Sequence, residues 1–118
     1  MSNKEIFLKD EGDNWFSRNI DEIEKTSKNK SIELLCSWLQ PFANSIDKIC
    51  EVGCGSGHSL SYLSEKLEAA GHGIDPSKKA ISYIRDKFPK INSVVGTGDD
   101  IKFKSNQFDL VHLGFFLY

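Results

Sequence analysis

Residues 49–57 have the sequence ICEVGCGSG, and the architecture of the chain follows from them. An apolar run that passes into alternating glycines predicts a buried strand, a tight turn and then a helix. About twenty residues further on, residues 73–76 (GIDP) predict a second strand that ends in a carboxylate. This order is typical of the first half of a site for a nucleoside-containing cofactor.

The turn itself separates the candidate cofactors. Glycines at 53, 55 and 57 leave no Cβ between the main chain and a ligand. A dinucleotide site would have its third glycine where His58 stands, and would bring a pyrophosphate to the helix N-terminus. The carboxylate of Glu51 would repel a pyrophosphate but attract an ammonium group. S-adenosylmethionine (SAM), which carries an ammonium and a sulfonium and no phosphate, is therefore favoured over a nicotinamide cofactor.

Asp75 lies at the predicted end of the second strand. An acidic side chain there can accept hydrogen bonds from both hydroxyls of a ribose. A second interpretation is a helix N-cap, since Pro76 and Ser77 follow and proline is favoured in the first helical turn. We prefer the ribose interpretation, and both stay open at this point.

With these motifs the chain resembles the N-terminal part of class I SAM-dependent methyltransferases. Residues 51–57, 73–76, 96–103 and 108–111 carry the resemblance, which extends over residues 48–118. It implies an α/β fold, a Rossmann-like doubly wound parallel sheet, with SAM as the cofactor. The residues expected to bind the cofactor in these first two motifs are Glu51, Gly53, Cys54, Gly55, Gly57, Asp75 and Pro76.

The third motif departs from the family pattern. Methyltransferases of this class often have an acidic residue where this chain has Thr97, and here the carboxylates come two and three positions later, at Asp99 and Asp100. We expect Asp99 to contact the adenine amine, with the backbone of Gly98 and Asp99 as the second choice for this contact. Gly98, Asp99 and Asp100 are thus expected among the cofactor-binding residues. The alternative is that both carboxylates are solvated loop residues.

Composition limits the remaining functions. The chain has 118 residues, 39% hydrophobic and 27% charged, with a net charge of -2, so it predicts a globular domain without affinity for nucleic acid. A small-molecule methyl acceptor is expected. No apolar run is long enough to span a membrane and no secretion signal is present, which favours a cytoplasmic location. Cys36, Cys50 and Cys54 suit reduced thiols, and their spacing supports neither a disulfide framework nor a metal site.

Two parts are expected along the chain. Residues 1–44 predict a helical segment, and residues 45–118 the first half of the SAM-binding domain. Within the first part, residues 11–19 resemble the opening of methyltransferases associated with sugar and polysaccharide biosynthesis, which suggests a lid and a sugar or nucleotide-sugar acceptor. The alternative is a helix that packs Trp15 and Phe16 on the core and leaves Arg18 outside.

The predicted strands fall near residues 46–52, 72–75, 94–95 and 108–113, with helices at 59–70 and 78–88. The resemblance places them in the order 3-2-1-4, with the fourth strand at an exposed edge. We expect a fragment of a longer enzyme that can form a homodimer through this edge. A catalytically incomplete module for assembly is the alternative.

No residue of this chain is assigned a catalytic role. Methyl transfer needs alignment and exclusion of water more than chemical groups. The family that the chain resembles has a seven-stranded sheet, and the resemblance implies that a general base would commonly lie on loops after strands four to seven. His112 lies between apolar neighbours in the fourth strand and is interpreted as a packed, hydrogen-bonded core residue.

Overall fold

The computed structural model of the protein describes residues 10–25, 30–99 and 107–114. Within these residues two helices come first, α1 (Gly12–Lys25) and α2 (Lys30–Leu39), followed by a 3-10 helix (Gln40–Ser45). Strands and helices then alternate as β1 (Lys48–Val52), α3 (His58–Leu67), β2 (Ala70–Asp75), α4 (Lys78–Lys87), β3 (Asn92–Val95) and β4 (Leu110–Leu113). This is the alternation that the sequence predicts.

The four strands form one parallel sheet in the order β3-β2-β1-β4. The chain moves outward from β1 to β3 on one side and then returns to the other side of β1 with β4. The strand order therefore reverses between β1 and β4, which is where open α/β sheets bind their ligands, outside the carboxyl ends of the strands. The predicted order and the Rossmann-like class are confirmed.

The larger hydrophobic cluster lies between helices and one face of the sheet. Ile49 of β1 is fully buried in it, together with the predicted apolar stripes of α3 and α4. A residue every three or four positions places these side chains on one helical face, and burying each contributes about 2 kcal/mol. The members from those two stripes are Leu60, Leu63, Leu67, Ile81 and Ile84.

All four strands begin two residues away from their predicted starts, β1 and β4 later and β2 and β3 earlier. For β1 and β4 the structure shows local reasons. Ile46 is buried, but its N–H donates to the carbonyl of Ala43 at 3.1 Å, so it ends the 3-10 helix and β1 begins at Lys48. At the start of β4, the carboxylate of Asp109 accepts hydrogen bonds from the N–H groups of Asp47 and Lys48, at 2.9 and 3.1 Å. The acidic residue of the fourth motif therefore joins β4 to the neighbouring strand β1 at the end of the sheet opposite the site.

Within the described residues, β4 has one neighbouring strand, β1. Val111 and Leu113, alternate residues of β4 whose side chains lie on the same face, are 55% and 64% exposed. Cys50, Val52 and Ile74 form the second, smaller core cluster. Since Val111 pairs with Cys50 and Leu113 with Val52, the exposed pair lies on the face of that smaller cluster.

Candidate cofactor site

The candidate site lies where the carboxyl ends of β1, β2 and β4 meet. The turn after β1 is joined to β2, because the N–H groups of Gly53 and Cys54 both donate to the carbonyl of Ile74, at 2.8 and 3.1 Å. On the other side, Gly114, the residue after β4, lies against the turn. A Cβ on Gly114 would collide with the carbonyl oxygen of Gly53. Backbone contacts thus fix the turn from both sides.

The glycines of the turn have different roles. Gly55 and Gly57 have φ of 51° and 80°, a region that L-residues with a Cβ rarely adopt. A Cβ on Gly55 would meet no atom within 4 Å, whereas one on Gly57 would lie 2.8 Å from the side chain of Ile84 in α4. Gly55 therefore borders open space that a ligand can occupy. Gly57 lets α3 and α4 pack closely, a role that the sequence did not indicate.

Asp75 ends β2 and is 7% exposed. Its two carboxylate oxygens accept hydrogen bonds from backbone N–H groups, Oδ2 from Gly55 at 2.8 Å and Oδ1 from Ser77 at 2.9 Å. Burial raises its pKa, and these two bonds oppose the rise. The N-cap of α4 is Ser77, whose hydroxyl accepts from the N–H of Ala80 at 3.1 Å. Asp75 therefore orients the turn, and its unused lone pairs remain for a ligand.

Glu51 lies on β1, directly opposite His112 in the register with β4. The Glu51 residue is 2% exposed, and its Oε2 lies 2.6 Å from Nδ1 of His112, whose side chain is 25% exposed. Burial raises the pKa of Glu51, while the hydrogen bond and charge of His112 oppose the rise. The same hydrogen bond raises the pKa of His112. His112 is hydrogen-bonded as expected, but to a predicted site residue.

The cysteines near the turn are packed thiols. Cys54 lies against Gly73, where a Cβ would approach its Sγ to 2.8 Å. Burial raises the pKa of Cys54 well above its ordinary value, with Asp75 and Glu51 adding to the effect. Cys36, Cys50 and Cys54 are all free and buried. Across the described ranges, no three His, Cys, Asp or Glu side chains cluster as metal ligands, and no helix is long and apolar enough to cross a membrane.

The third motif adjoins Asp75 through the backbone, since the N–H of Gly96 donates to the carbonyl of Asp75 at 3.0 Å. Thr97 is buried, and its hydroxyl donates to Oδ1 of Asp99 at 2.5 Å. Asp99 itself is exposed, and Gly98 is partly buried. The threonine that replaces the usual acidic residue therefore orients the next carboxylate. Asp100 lies outside the described residues.

Helix α1 is attached to the N-terminus of α4 by Asp13. Its Oδ1 accepts from the hydroxyl of Ser77 at 2.6 Å and from the N–H of Lys79 at 3.0 Å. Burial opposes ionisation of Asp13, but these hydrogen bonds and the charge of Lys79 lower its pKa. Phe16 is buried against the ring of Tyr83, with centroids 5.6 Å apart. The packing interpretation of residues 11–19 thus holds for Phe16.

These features fit the chemistry of SAM. Open space borders Gly55, a buried carboxylate at Asp75 offers acceptors for ribose hydroxyls, and Glu51 supplies negative charge under the turn. Pro76 is buried directly after Asp75, at the start of the loop into α4. A pyrophosphate would meet two carboxylates here, which disfavours a dinucleotide.

Sequence reasoning missed three contributors. Asp13 lies 64 residues before Ser77, the N-cap of α4 that it contacts, so no local pattern indicates its role. Ser77 was considered only as a residue after Asp75, although Ser at an N-cap is a common signal. His112 was placed correctly in β4, but its partner Glu51 is set by the strand register.

A family model described as a methyltransferase domain matches residues 49–118. The chain therefore belongs to the class I SAM-dependent methyltransferases, a family of enzymes whose cofactor is SAM. This match favours an enzyme over the assembly module and the nicotinamide-dependent alternative.

Three similar proteins illustrate the relationship. An uncharacterized methyltransferase of Synechocystis sp. is 34% identical over 65 residues, which cover 55% of this chain and 30% of that protein. A TehB-like SAM-dependent methyltransferase from Corynebacterium glutamicum is 31% identical, with a TM-score of 0.51 over 58% of this chain and 36% of its own. The plantazolicin methyltransferase BpumL, in complex with S-adenosylhomocysteine (SAH), is 23% identical, with a TM-score of 0.62 over 91% of this chain and 43% of its own. The chain thus spans less than half the length of these proteins.

Proposed function

We propose that this chain binds SAM at the carboxyl ends of β1, β2 and β4 and forms the cofactor-binding part of a methyltransferase. The observation that supports it most is the buried carboxylate of Asp75, hydrogen-bonded to Gly55 beside the open space of the turn. In this proposal Asp75 accepts the ribose hydroxyls, and Glu51 attracts the ammonium of the methionine part. Gly53, Cys54, Gly55 and Gly57 shape the surface beneath it, with Gly98, Asp99 and Asp100 toward the adenine.

Bound SAM supplies a methyl group already activated by the positive charge on sulfur. The work of the chain is to hold the cofactor so that the methyl points toward the acceptor, and to keep water away. Asp75 and Glu51 act by binding and orienting. Neither needs to exchange a proton with the acceptor.

We propose a small-molecule acceptor, with a sugar or nucleotide-sugar as one candidate. A net charge of -2 offers no general attraction for a nucleic acid. BpumL has been crystallised with a monoazolic desmethylPZN analog and SAH, so a fold of this kind accommodates an acceptor of that sort beside the cofactor. Screening candidate acceptors for SAH formation, with and without each acceptor, tests the proposal.

We also propose that residues 1–44 act as a lid and that the protein is cytoplasmic. The contacts of Asp13 with Ser77 and Lys79 support the lid, since they attach α1 next to the loop after Asp75. A homodimer through β4 is proposed on the exposure of Val111 and Leu113. Light scattering of the wild-type protein and of Val111→Lys tests it, because a buried lysine on that strand would lower the fraction of dimer.

Calorimetry with SAH and with NADH tests the cofactor assignment. The wild-type protein should bind SAH and not NADH. Gly55→Ala should weaken SAH binding at least about tenfold, because a Cβ enters the open space and the positive φ adds about 1 kcal/mol of strain. Gly71→Ala is the matched control, since its Cβ would make ordinary contact with Leu60 at 3.4 Å. Binding of NADH in place of SAH, or equal SAH binding by both variants, would contradict the proposal.

A further inference from the structure

The pair formed by Glu51 and His112 is unusual for a core contact, because one member can change its charge near neutral pH. Glu51 has 2% of its surface exposed, and His112 retains 25% of its side-chain surface. Nδ1 of His112 lies 2.6 Å from Oε2 of Glu51. An ionised Glu51 carboxylate can only accept, so opposite it Nδ1–H donates whether the ring is neutral or protonated, and the second ring nitrogen, Nε2, is the place where a proton is gained or lost.

The surrounding charges make this pair sensitive to a cation. Burial disfavours the charged form of Glu51, and the negative charge of Asp75 on β2 disfavours it further. The thiols of Cys50 and Cys54 have raised pKa values, so they stay neutral. Within the described residues, the hydrogen-bond partner of the Glu51 side chain is His112. A protonated His112 would therefore be the cation that balances Glu51 when no ligand is bound.

We propose that Glu51 and His112 form a proton-exchange pair, in which His112 releases a proton from Nε2 to solvent when the ammonium group of SAM takes over the balance of the Glu51 charge. This inference rests on the proposed function. Two cations beside one buried carboxylate repel each other, so the bound ammonium favours the neutral imidazole. Neutral His112 still donates Nδ1–H to Glu51 and keeps its carboxylate in place. His112 is thus a positioning residue.

The direction of the pH effect follows from this exchange. The hydrogen bond to Glu51 raises the pKa of His112 in the unliganded protein. Below that pKa, SAH must displace a proton when it binds. The dissociation constant for SAH therefore increases by up to about tenfold for each unit by which the pH falls. Methylthioadenosine contains the adenosine part and lacks the amino-acid part, so its affinity should not change with the state of His112.

The test is an NMR titration of the histidine imidazoles in the protein alone, with saturating SAH, and with saturating methylthioadenosine. Loss of a peak in His112→Asn identifies His112, and His72 is the internal control, since it packs against Phe108 on the opposite face of the sheet. The pKa of His112 should fall by about one unit or more with SAH and stay unchanged with methylthioadenosine. In Glu51→Gln, SAH should produce no such shift.

Calorimetry of SAH binding in two buffers of different ionisation enthalpy gives the second readout. At a pH near the pKa of His112 in the unliganded protein, binding of SAH should release a fraction of a proton per molecule bound. Binding of methylthioadenosine should release none. If SAH binds but the pKa of His112 stays where it was, His112 is only a core residue and the inference is overturned. If SAH does not bind at any pH, the proposed cofactor site itself is overturned together with this inference.

Discussion

Asp75 is the last residue of β2 and Glu51 the second-last of the neighbouring strand β1, and both are buried, at 7% and 2% exposure, but their partners differ. The oxygens of Asp75 accept from the backbone N–H groups of Gly55 and Ser77, which keep their protons at every accessible pH. Glu51 instead contacts the imidazole of His112, which gains and loses a proton. One carboxylate is therefore held permanently, whereas the charge balance of the other depends on pH and, in our proposal, on the ligand.

The largest effect is expected from Asp75→Ala. It removes the proposed ribose acceptor and leaves the N–H groups of Gly55 and Ser77 without their partner. We expect SAH affinity to fall about 100-fold, or about 3 kcal/mol, and stability to fall by about 1–3 kcal/mol. Calorimetry and urea unfolding measure the two effects. Asp86→Ala, an exposed change on α4, is the control, and an equal loss in both variants would contradict the assignment.

Glu51→Gln should have a smaller effect that is selective for one part of the ligand. The amide keeps the shape and removes the charge, so SAH affinity at about pH 8 should fall about tenfold. The affinity for methylthioadenosine should stay as in the wild-type protein. Equal losses for both ligands would show that Glu51 acts on the turn as a whole and not on the ammonium.

Asp13→Ala probes the support behind Asp75. The carboxylate of Asp13 accepts from Ser77 and from the N–H of Lys79 in the first turn of α4, so it acts as a cap supplied by another helix. Its loss should cost about 1 kcal/mol of stability. SAH affinity should fall about threefold or less, since Asp75 keeps its own hydrogen bonds. Asp21→Ala, an exposed change on the same helix, should leave both quantities unchanged in urea unfolding and calorimetry.

The smallest expected effect is on the pH dependence of unfolding without ligand. The hydrogen bond between His112 and Glu51 raises the pKa of His112 above the ordinary value of 6.5. This contribution to stability is full below the unfolded pKa and is lost as the pH rises through the folded pKa. The free energy of unfolding should therefore decrease as the pH rises from a value below 6.5 to one above the raised pKa of His112. Burial lowers the pKa of His58 and of His72, so their stability contributions change below this window.

The control for that measurement is His112→Asn, whose amide can still donate to Glu51 but does not titrate. The decrease should be smaller in this variant when both proteins are unfolded with urea at the two pH values. An identical decrease in both proteins would assign the pH effect to other groups.

Much of the fold follows from the sequence because local patterns and topology rules agree. Residues 49–57 and 73–76 predict the first two strands and the turn between them, and the stripes of α3 and α4 predict which face each helix buries. Strand starts were less accurate, each by two residues. At β1 and β4 the reason is a specific partner that periodicity does not specify, since Ile46 caps the 3-10 helix and the Asp109 carboxylate bonds the backbone of Asp47.

The class of the protein follows from the amino-acid sequence alone, since glycine spacing, the positions of Glu51 and Asp75 and alternating elements are local properties of the chain. The groups that hold those two carboxylates are set by the three-dimensional fold. The contacts of Asp75 with Gly55, of Asp13 with Ser77 and of Glu51 with His112 join residues 20, 64 and 61 positions apart. Strand register and helix docking bring such residues together, and these arise from packing of the whole domain, which no single segment encodes.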